Sequence, residues 1–236
     1  MPPKATIKKA DVLIIGPHAD DPEFGISGTV AKWTREGKTV AYVICTNGDK
    51  GTSDLKLDPH ELIKIREKEQ RAAAKVLGVA DVVFLGYPDQ GLEDTAEFRK
   101  EIVRQIRTFR PNIVGTTDPY RKYIWHRDHR ICGQVVLDAV YPLARDYLAY
   151  PDLFAQGYKP HKVREVWTWG TDEPNHWVDI TDTFEIKAKA LSCHQSQIGG
   201  KDSSGVYDWI RQRATNVAKG RGFELAEEFH RTEIWR

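Results

Sequence analysis

A short apolar run near the start of the chain limits the folds that the sequence can adopt. The run, Val12-Leu13-Ile14-Ile15-Gly16, has none of the alternating polar positions of a strand with one face in water. Aliphatic and β-branched residues without alternation are typical of a strand covered on both faces, as at the centre of a parallel sheet. We therefore predict an interior strand over Val12–Gly16 and an α/β fold around it.

Strand and helix patterns alternate through the first two thirds of the chain. Further strands are predicted at residues 39–45, 81–85 and 112–116, and helices at residues 24–34, 59–77 and 96–109. The helix after residue 58 has the clearest ends, with Asp58 as the N-cap, Pro59 at the first position and Gly78 after the last turn. A repeated βα pattern favours right-handed crossovers. It predicts a Rossmann-like three-layer αβα sandwich with a mostly parallel central sheet.

The last third of the chain is less regular, but nothing in it marks a second domain. Strands are predicted at residues 163–169 and 177–180 and helices at 184–193 and 207–218, and residues 228–235 are left unassigned. The 236 residues contain no internal repeat and no low-complexity linker, and their number is within the range of one large domain. We therefore treat residues 1–236 as a single domain.

Composition argues against several classes of partner. The formal net charge is +1 and the sequence has no long basic block, so nucleic acid is not an expected partner. No apolar run approaches the roughly 20 residues of a membrane span, and residues 1–10 lack the apolar core of a signal peptide. Cys45, Cys132 and Cys193 lack the paired spacing of thiolate zinc sites or disulfide scaffolds. The sequence thus predicts a cytoplasmic protein with reduced core cysteines.

The loop after the first strand is the strongest candidate for chemistry. It reads Pro17-His18-Ala19-Asp20-Asp21-Pro22-Glu23 and lies at the carboxyl end of a buried strand, where open α/β sheets bind ligands. A dinucleotide site is not expected at this turn, because the three spaced glycines are missing and the carboxylates would repel a pyrophosphate. An imidazole and three carboxylates crowded together are costly to desolvate unless a cation or a substrate compensates them.

A second motif supplies the rest of a candidate metal site. His126-Arg127-Asp128-His129 follows the fourth predicted strand, so we expect it at the same edge of the sheet as the first motif. His18 and Asp21 are close enough in sequence to bind one cation together, and His129 is a candidate for the third ligand. Catalytic zinc keeps three protein ligands and one open position, which favours Zn2+. Fe2+ uses the same ligand types and stays open as an alternative.

The remaining ionisable groups of the two motifs fit acid and base roles. Adjacent residues of an extended turn point in different directions, so Asp20 is expected to act as the general base on an attacking water rather than to duplicate Asp21. His126 is expected to stabilise the oxyanion or to protonate the leaving amine, and Asp128 to orient His126 or His129. An aspartate pair or a histidine cluster alone is more often a cap or a turn feature. The presence of both features at one edge of the sheet favours a functional site.

The two motifs resemble the signatures of the PIG-L/LmbE-like zinc-dependent de-N-acetylases. The resemblance extends from the first strand to Gln197 and includes shorter stretches such as Thr46-Asn47-Gly48-Asp49 and Leu85-Gly86-Tyr87-Pro88-Asp89. It implies the same assignment as the spacing, with metal ligands His18, Asp21 and His129, general base Asp20, and acid or oxyanion-stabilising His126 with Asp128 behind it. Two positions depart from the family pattern, since proline is usual where Ala19 and Arg127 stand here.

The resemblance also implies an activity. Members of this family are hydrolases that remove the N-acetyl group from an N-acetylglucosamine-containing substrate and release acetate and a free amine. An amidase of a glucosamine-linked thiol conjugate and a non-catalytic metal-binding module remain alternatives. Arg66 and His194 are weaker candidates for substrate contacts. The alternative for Arg66 is a solvated surface charge, and the alternative for His194 is a role in capping or packing. Family resemblance suggests a homo-oligomer, as a trimer or a hexamer, with a monomer left open.

Overall fold

One mixed sheet organises the chain. The structure, a computed structural model, describes residues 8–199 and 203–235. Within these residues the strands of the sheet are β1 (Val12–Gly16), β2 (Val40–Thr46), β3 (Asp81–Tyr87), β4 (Ile113–Thr117), β5 (Glu165–Trp169), β6 (His176–Asp179) and β7 (Ala226–Glu233). The helices are α1 (Asp21–Gly25), α2 (Ser27–Arg35), α3 (Pro59–Leu77), α4 (Ala96–Phe109), α5 (Arg127–Asp138), α6 (Pro151–Ala155), α7 (Phe184–Leu191), α8 (Gln195–Ile198) and α9 (Ser203–Ala218).

The sheet is covered by helices on both faces. Its strand order is β3-β2-β1-β4-β5-β7-β6, in which the first five strands are parallel and β7 runs antiparallel to both of its neighbours. Because side chains alternate along a strand, Leu13 and Ile15 of β1 pack with α4 and α5, whereas Val12 and Ile14 pack with α2 and α3. The predicted three-layer αβα sandwich with a mostly parallel sheet is confirmed.

The strand order creates a crevice at the end of β1. β1 pairs with β2 on one side and with β4 on the other, so the chain leaves β1 in one direction and returns to its other edge after β3. The connections after β1 and β4 therefore diverge to opposite sides of the sheet, and ligands of open α/β sheets bind at such a switch point. Both sequence motifs lie on these two connections.

Local sequence patterns predicted the ends of one helix correctly and missed a break in another. The Asp58 carboxylate accepts hydrogen bonds from the amides of His60 and Glu61, and Gly78 ends α3 with φ 77°, as predicted. The helix predicted at residues 24–34 is instead divided into α1 and α2, because Ile26 adopts φ −142° and ψ 1° between them. The break allows α1 to begin directly at Asp21, inside the first motif.

The unassigned residues 228–235 contain most of β7, which the sequence pattern did not reveal. This strand lies between β5 and β6, and its buried positions Ala226, Glu227 and Phe229 do not alternate strictly. Cys45 and Cys132 are buried as predicted, with their sulfur atoms 3.7 Å apart, whereas Cys193 is partly exposed and packs at the edge of the core. Among the described residues, the helices are all too short or too polar to cross a bilayer.

Close packing of α5 on β4 makes Gly133 sensitive to substitution. A Cβ atom at Gly133 would lie 2.5 Å from the carbonyl oxygen of Thr117 and 2.9 Å from Pro119 Cδ, so alanine there must push α5 away from the sheet. We expect Gly133→Ala to lower the free energy of unfolding by about 1 to 3 kcal/mol, measured by urea denaturation. Gly205→Ala is the matched control, because a Cβ atom added at Gly205 of α9 would meet no described atom within 4 Å beyond its chain neighbours and its own helix backbone.

The control is expected to be neutral or stabilising by up to about 1 kcal/mol, since alanine is the better helix former. Equal stabilities for Gly133→Ala and the parent would contradict the described contact. Because α5 begins with the second motif, the same substitution is also expected to reduce whatever activity that motif supports.

Candidate metal and catalytic site

The two predicted motifs meet at the switch point. His18 and Asp20 lie in the turn after β1, and Asp21 is the first residue of α1. His126 is the N-cap of α5, while Asp128 and His129 lie in its first turn. Side chains about 110 residues apart in sequence are therefore brought together, as expected from the common edge of the sheet.

The three predicted metal ligands contact one another through Asp21. One oxygen of this carboxylate lies 3.0 Å from His18 Nδ1 and 2.9 Å from the His18 amide, and the other lies 3.3 Å from His129 Nε2. The rings of His18 and His129 are 5.3 Å apart between centroids. One ring nitrogen each from His18, His126 and His129 also lie within 4.8 Å of one another. The nitrogen and carboxylate ligands are those that zinc prefers, so the residues fit a divalent cation.

The other nitrogen of His18 faces two buried carboxylates. Its Nε2 lies 3.2 Å from Asp128 Oδ2 and 3.1 Å from Asp89 Oδ1. Asp128 also accepts hydrogen bonds from the amides of Gln90 and Leu92, which fix it in place. The role of Asp128 in orienting His126 or His129 stays a prediction, and the structure adds a contact of its carboxylate with His18. A carboxylate behind a histidine ligand fixes the ring and raises its basicity.

The charges of the site favour a cation. Burial opposes the charge of His18, but hydrogen bonds with Asp128, Asp21 and Asp89 outweigh it and raise the pKa of His18 to about 12. Burial likewise opposes the charge of Asp21, yet His129 and His18 lower the pKa of this carboxyl to about 2. Burial lowers the pKa of His129, which favours the neutral imidazole that binds metals. The surrounding carboxylates stabilise a positive charge, and a divalent cation would satisfy them in place of the His18 proton.

Asp20 is held in an unusual backbone conformation. It has φ 92° and ψ −28°, a region that costs a residue other than glycine about 1 to 3 kcal/mol. Burial, followed by the neighbouring charge of Asp21, raises the pKa of Asp20 to about 7. A carboxyl group with a pKa near neutrality is suited to accept a proton during a reaction. The side chain keeps a small exposed fraction, 14%, so it remains accessible from the crevice.

Arg66 is buried beneath the turn instead of reaching into solvent. Its guanidinium donates to the carbonyl oxygens of Ala19 at 2.7 Å and Gly48 at 3.3 Å, and lies 3.6 Å from Asp20 Oδ1. A Cβ atom on Gly48 would lie 2.5 Å from this guanidinium, so the glycine allows the close approach. These contacts favour support of the turn over the substrate contact predicted for Arg66.

His194 is also fully buried, behind the first motif. Its Nε2 lies 3.2 Å from a carboxylate oxygen of Glu23, which is equally buried. Burial opposes a positive charge on His194, but the bond to Glu23 raises its pKa. The predicted substrate contact is therefore not supported by the position of His194, which belongs to the packing beneath the turn.

His126 is the exposed member of the cluster. Its Nδ1 accepts a hydrogen bond from the amide of Asp128 at 3.3 Å, which makes it the cap of α5, and its ring lies edge-on to that of His18 at 4.6 Å. Because His126 is exposed beside two inner histidines, it is placed to meet a substrate that enters from solvent. This position agrees with the predicted acid or oxyanion role.

Sequence reasoning missed three polar residues that complete the site. Asp89 follows β3, and its Oδ1 lies 3.1 Å from Nε2 of His18. Gln70 and Lys187, both buried in helices, contact the motif from below. Asp89 could have been predicted from the sequence, because it follows a parallel strand that ends at the same edge of the sheet. The two helical residues gave no signal, since their partners are distant in sequence.

The chain is similar to proteins of known type over most of its length. Residues 13–140 match the family model described as PIG-L: GlcNAc-PI de-N-acetylase. A diacetylchitobiose deacetylase of Thermococcus kodakarensis is 40% identical over 217 residues, covering 92% of this chain and 80% of the relative. The solved structure of an N,N'-diacetylchitobiose deacetylase from Pyrococcus horikoshii superposes with a TM-score of 0.90 at 33% identity, covering 95% of this chain and 84% of that one. A mycothiol S-conjugate amidase of Streptomyces coelicolor is 28% identical and covers 94% of each chain.

Proposed function

The chain belongs to the PIG-L family of de-N-acetylases, and from this premise we propose that it removes the N-acetyl group of a small N-acetylglucosamine-containing sugar. The reaction is hydrolysis of an amide, which releases acetate and a free amine. The observation that carries the proposal is that His18, Asp21 and His129 meet at the end of β1, next to the Asp20 carboxyl, whose pKa is raised to about 7. Similarity to two diacetylchitobiose deacetylases supports a chitobiose-type substrate.

We assign His18, Asp21 and His129 as the residues that hold the cation. They supply two imidazole nitrogens and one carboxylate, with Asp128 and Asp89 behind His18. This ligand set suits Zn2+, and Fe2+ shares it. When bound, such a cation supplies Lewis acidity, which polarises the acetyl carbonyl and acidifies the attacking water. Metal analysis of the purified protein, followed by reconstitution with each ion, distinguishes the two metals.

The protein residues account for the proton transfers. Asp20 accepts the proton of the attacking water, because its carboxyl is accessible from the crevice, has a pKa near neutrality and is separate from the three ligands. His126, exposed at the mouth of the cluster, stabilises the oxyanion or delivers a proton to the departing amine. Arg66 keeps the turn in place by binding the Ala19 carbonyl. The bond broken is the amide C–N bond, and the proton taken at Asp20 balances the one gained by the amine.

Acetate release tests the proposed activity. Metal-replete protein is incubated with N,N'-diacetylchitobiose or with N-acetylglucosamine, and acetate and free amine are measured in parallel. We expect equal amounts of both products. Cleavage of a bulky acyl group from a glucosamine-linked thiol conjugate without acetate release would favour the amidase alternative. Similarity to the Streptomyces coelicolor amidase is the reason to test this alternative. No turnover of any of these amides by metal-replete protein would favour a non-catalytic metal-binding module.

Three further features of the protein are part of the proposal. Residues 1–236 form a single domain, the chain assembles as a homo-oligomer such as a trimer or a hexamer, and it resides in the cytoplasm. The single sheet and its two helical layers support the first of these. Light scattering after gel filtration measures the assembly, limited proteolysis tests the single domain, and cell fractionation tests the location.

Replacing Asp128 by asparagine is expected to weaken metal binding. The carboxylate contacts His18 Nε2 and accepts two backbone amides, so an amide in its place presents a donor to one of these groups. We expect Asp128→Asn to weaken divalent-cation binding by about 10- to 100-fold, measured by competition with a chelator. Asp118→Asn is the matched control, since Asp118 is also buried but accepts from the amide of Tyr120. Equal loss of affinity in the two variants would contradict the role of Asp128.

A further inference from the structure

Gln70 of α3 links the backbone of Asp20 to two buried groups behind it. Its side-chain Oε1 accepts the hydrogen bond of the Asp20 amide at 3.0 Å. Its Nε2 donates to both carboxylate oxygens of Glu23, at 3.0 and 3.1 Å. Gln70 and Glu23 are fully buried, so neither has water as a substitute partner.

The orientation of the Gln70 amide is fixed by its partners. A carboxylate only accepts hydrogen bonds, so the NH2 group of Gln70 must face Glu23 and its oxygen must face the Asp20 amide. The same carboxylate of Glu23 also meets His194 Nε2 at 3.2 Å, which anchors the acid from the other side. His194, Glu23, Gln70 and the Asp20 amide therefore form one chain of hydrogen bonds in which each donor and acceptor is fixed.

Asp20 needs such an anchor because its backbone is strained. Its φ of 92° and ψ of −28° are unfavourable for a residue with a side chain, and such a conformation persists only when the surroundings hold it. Rotation of Asp20 back to a relaxed backbone would turn its amide away from Gln70 and redirect its carboxylate. The hydrogen bond from the Asp20 amide is therefore coupled to the direction of the side chain.

We propose that Gln70, with its amide orientation fixed by Glu23 and His194, is a positioning residue that holds Asp20 in the strained conformation needed to act as the base. The inference rests on the proposed deacetylase function for its kinetic consequence. The structural consequence, the conformation of Asp20, does not depend on that function. Gln70 does not touch the substrate and acts through Asp20.

Gln70→Leu tests the proposal, because leucine fills the space without either hydrogen bond. With N,N'-diacetylchitobiose and metal-replete protein, we expect kcat to fall by roughly 10- to 100-fold while KM changes less than about twofold. Gln105→Leu is the matched control and is expected to keep the parental kcat, since Gln105 is a buried helical glutamine whose side chain, among the described residues, bonds to Glu101 of its own helix. If the loss of both Gln70 donors to Glu23 unfolds Gln70→Leu, Gln70→Asn is used, whose shorter amide cannot span both partners.

Two outcomes separate positioning from general structural damage. In an Asp20→Asn background, the Gln70 substitution is expected to change the residual rate by less than about twofold, because the residue through which it acts is gone. An equal loss of rate in both backgrounds overturns the proposal. The crystal structure of the Gln70 variant is expected to show Asp20 with a negative φ, and an unchanged positive φ overturns the proposal even if the parent protein has no deacetylase activity.

Discussion

Replacement of Asp20 by asparagine is expected to lower kcat by about 10²- to 10⁴-fold and to leave divalent-cation binding intact. Asparagine has nearly the same shape, so the backbone bond to Gln70 and the neighbouring Arg66 contact remain available. Its amide cannot accept the proton of the attacking water. The loss therefore falls on the chemical step, and KM is expected to change little.

Metal content and kinetics of the same preparation test this prediction together. Asp21→Asn is the informative comparison, because the next carboxylate along the chain contacts His18 and His129 and is assigned to the metal. That variant is expected to lose metal as well as activity. An Asp20→Asn protein with kcat within about threefold of the parent would show that Asp20 is not the base.

Loss of the buried ion pair between Lys187 and Glu227 is expected to have the largest effect on stability. Glu227 of β7 accepts from the amides of Gly28 and Thr29 and from the Lys187 ammonium at 2.8 Å. Lys187 of α7 also donates to the carbonyls of Glu23 and Phe24 in α1. The pair thus joins β7, α7, α1 and the start of α2 beneath the first motif.

Glu227→Gln removes the negative charge that balances Lys187. It also places the NH2 group of the new side chain next to groups that are themselves donors, the amides of Gly28 and Thr29 and the Lys187 ammonium. Breaking a buried pair from one side costs about 3 to 5 kcal/mol, so we expect a loss of that size in the free energy of unfolding, with a fall in Tm of roughly 6 to 20 °C. Glu228→Gln, the next residue of the strand, is the control and is expected to change stability by less than about 0.5 kcal/mol. A loss below about 1 kcal/mol for Glu227→Gln would contradict the role of the pair.

Sequence patterns predicted the elements that depend on local physics. The apolar run of β1, the cap of α3 at Asp58 and its stop at Gly78 depend on neighbouring residues alone, and all three are confirmed. The meeting of the two motifs followed from one rule, that parallel strands end at a common edge. This rule needs only the order of the elements, so it brought His18 and His129 together without knowledge of any contact.

Partners of individual side chains could not be predicted in the same way. The Asp128 carboxylate contacts His18, which lies 110 residues away in sequence, and no pattern within the second motif indicates this partner. Arg66 lies on α3 and His194 lies between α7 and α8, so the packing of these helices decides whether the two side chains face solvent or the turn after β1. That packing depends on the whole helical layer, which no short stretch of sequence specifies.

Diffraction from crystals grown with zinc, measured at the zinc absorption edge, tests the proposed metal site most directly. We predict one strong anomalous peak at about 2.0 to 2.2 Å from a nitrogen of His18, a nitrogen of His129 and an oxygen of Asp21. A peak bound by another set, such as His18 with Asp89 and Asp128, or no peak at this edge of the sheet, would contradict it.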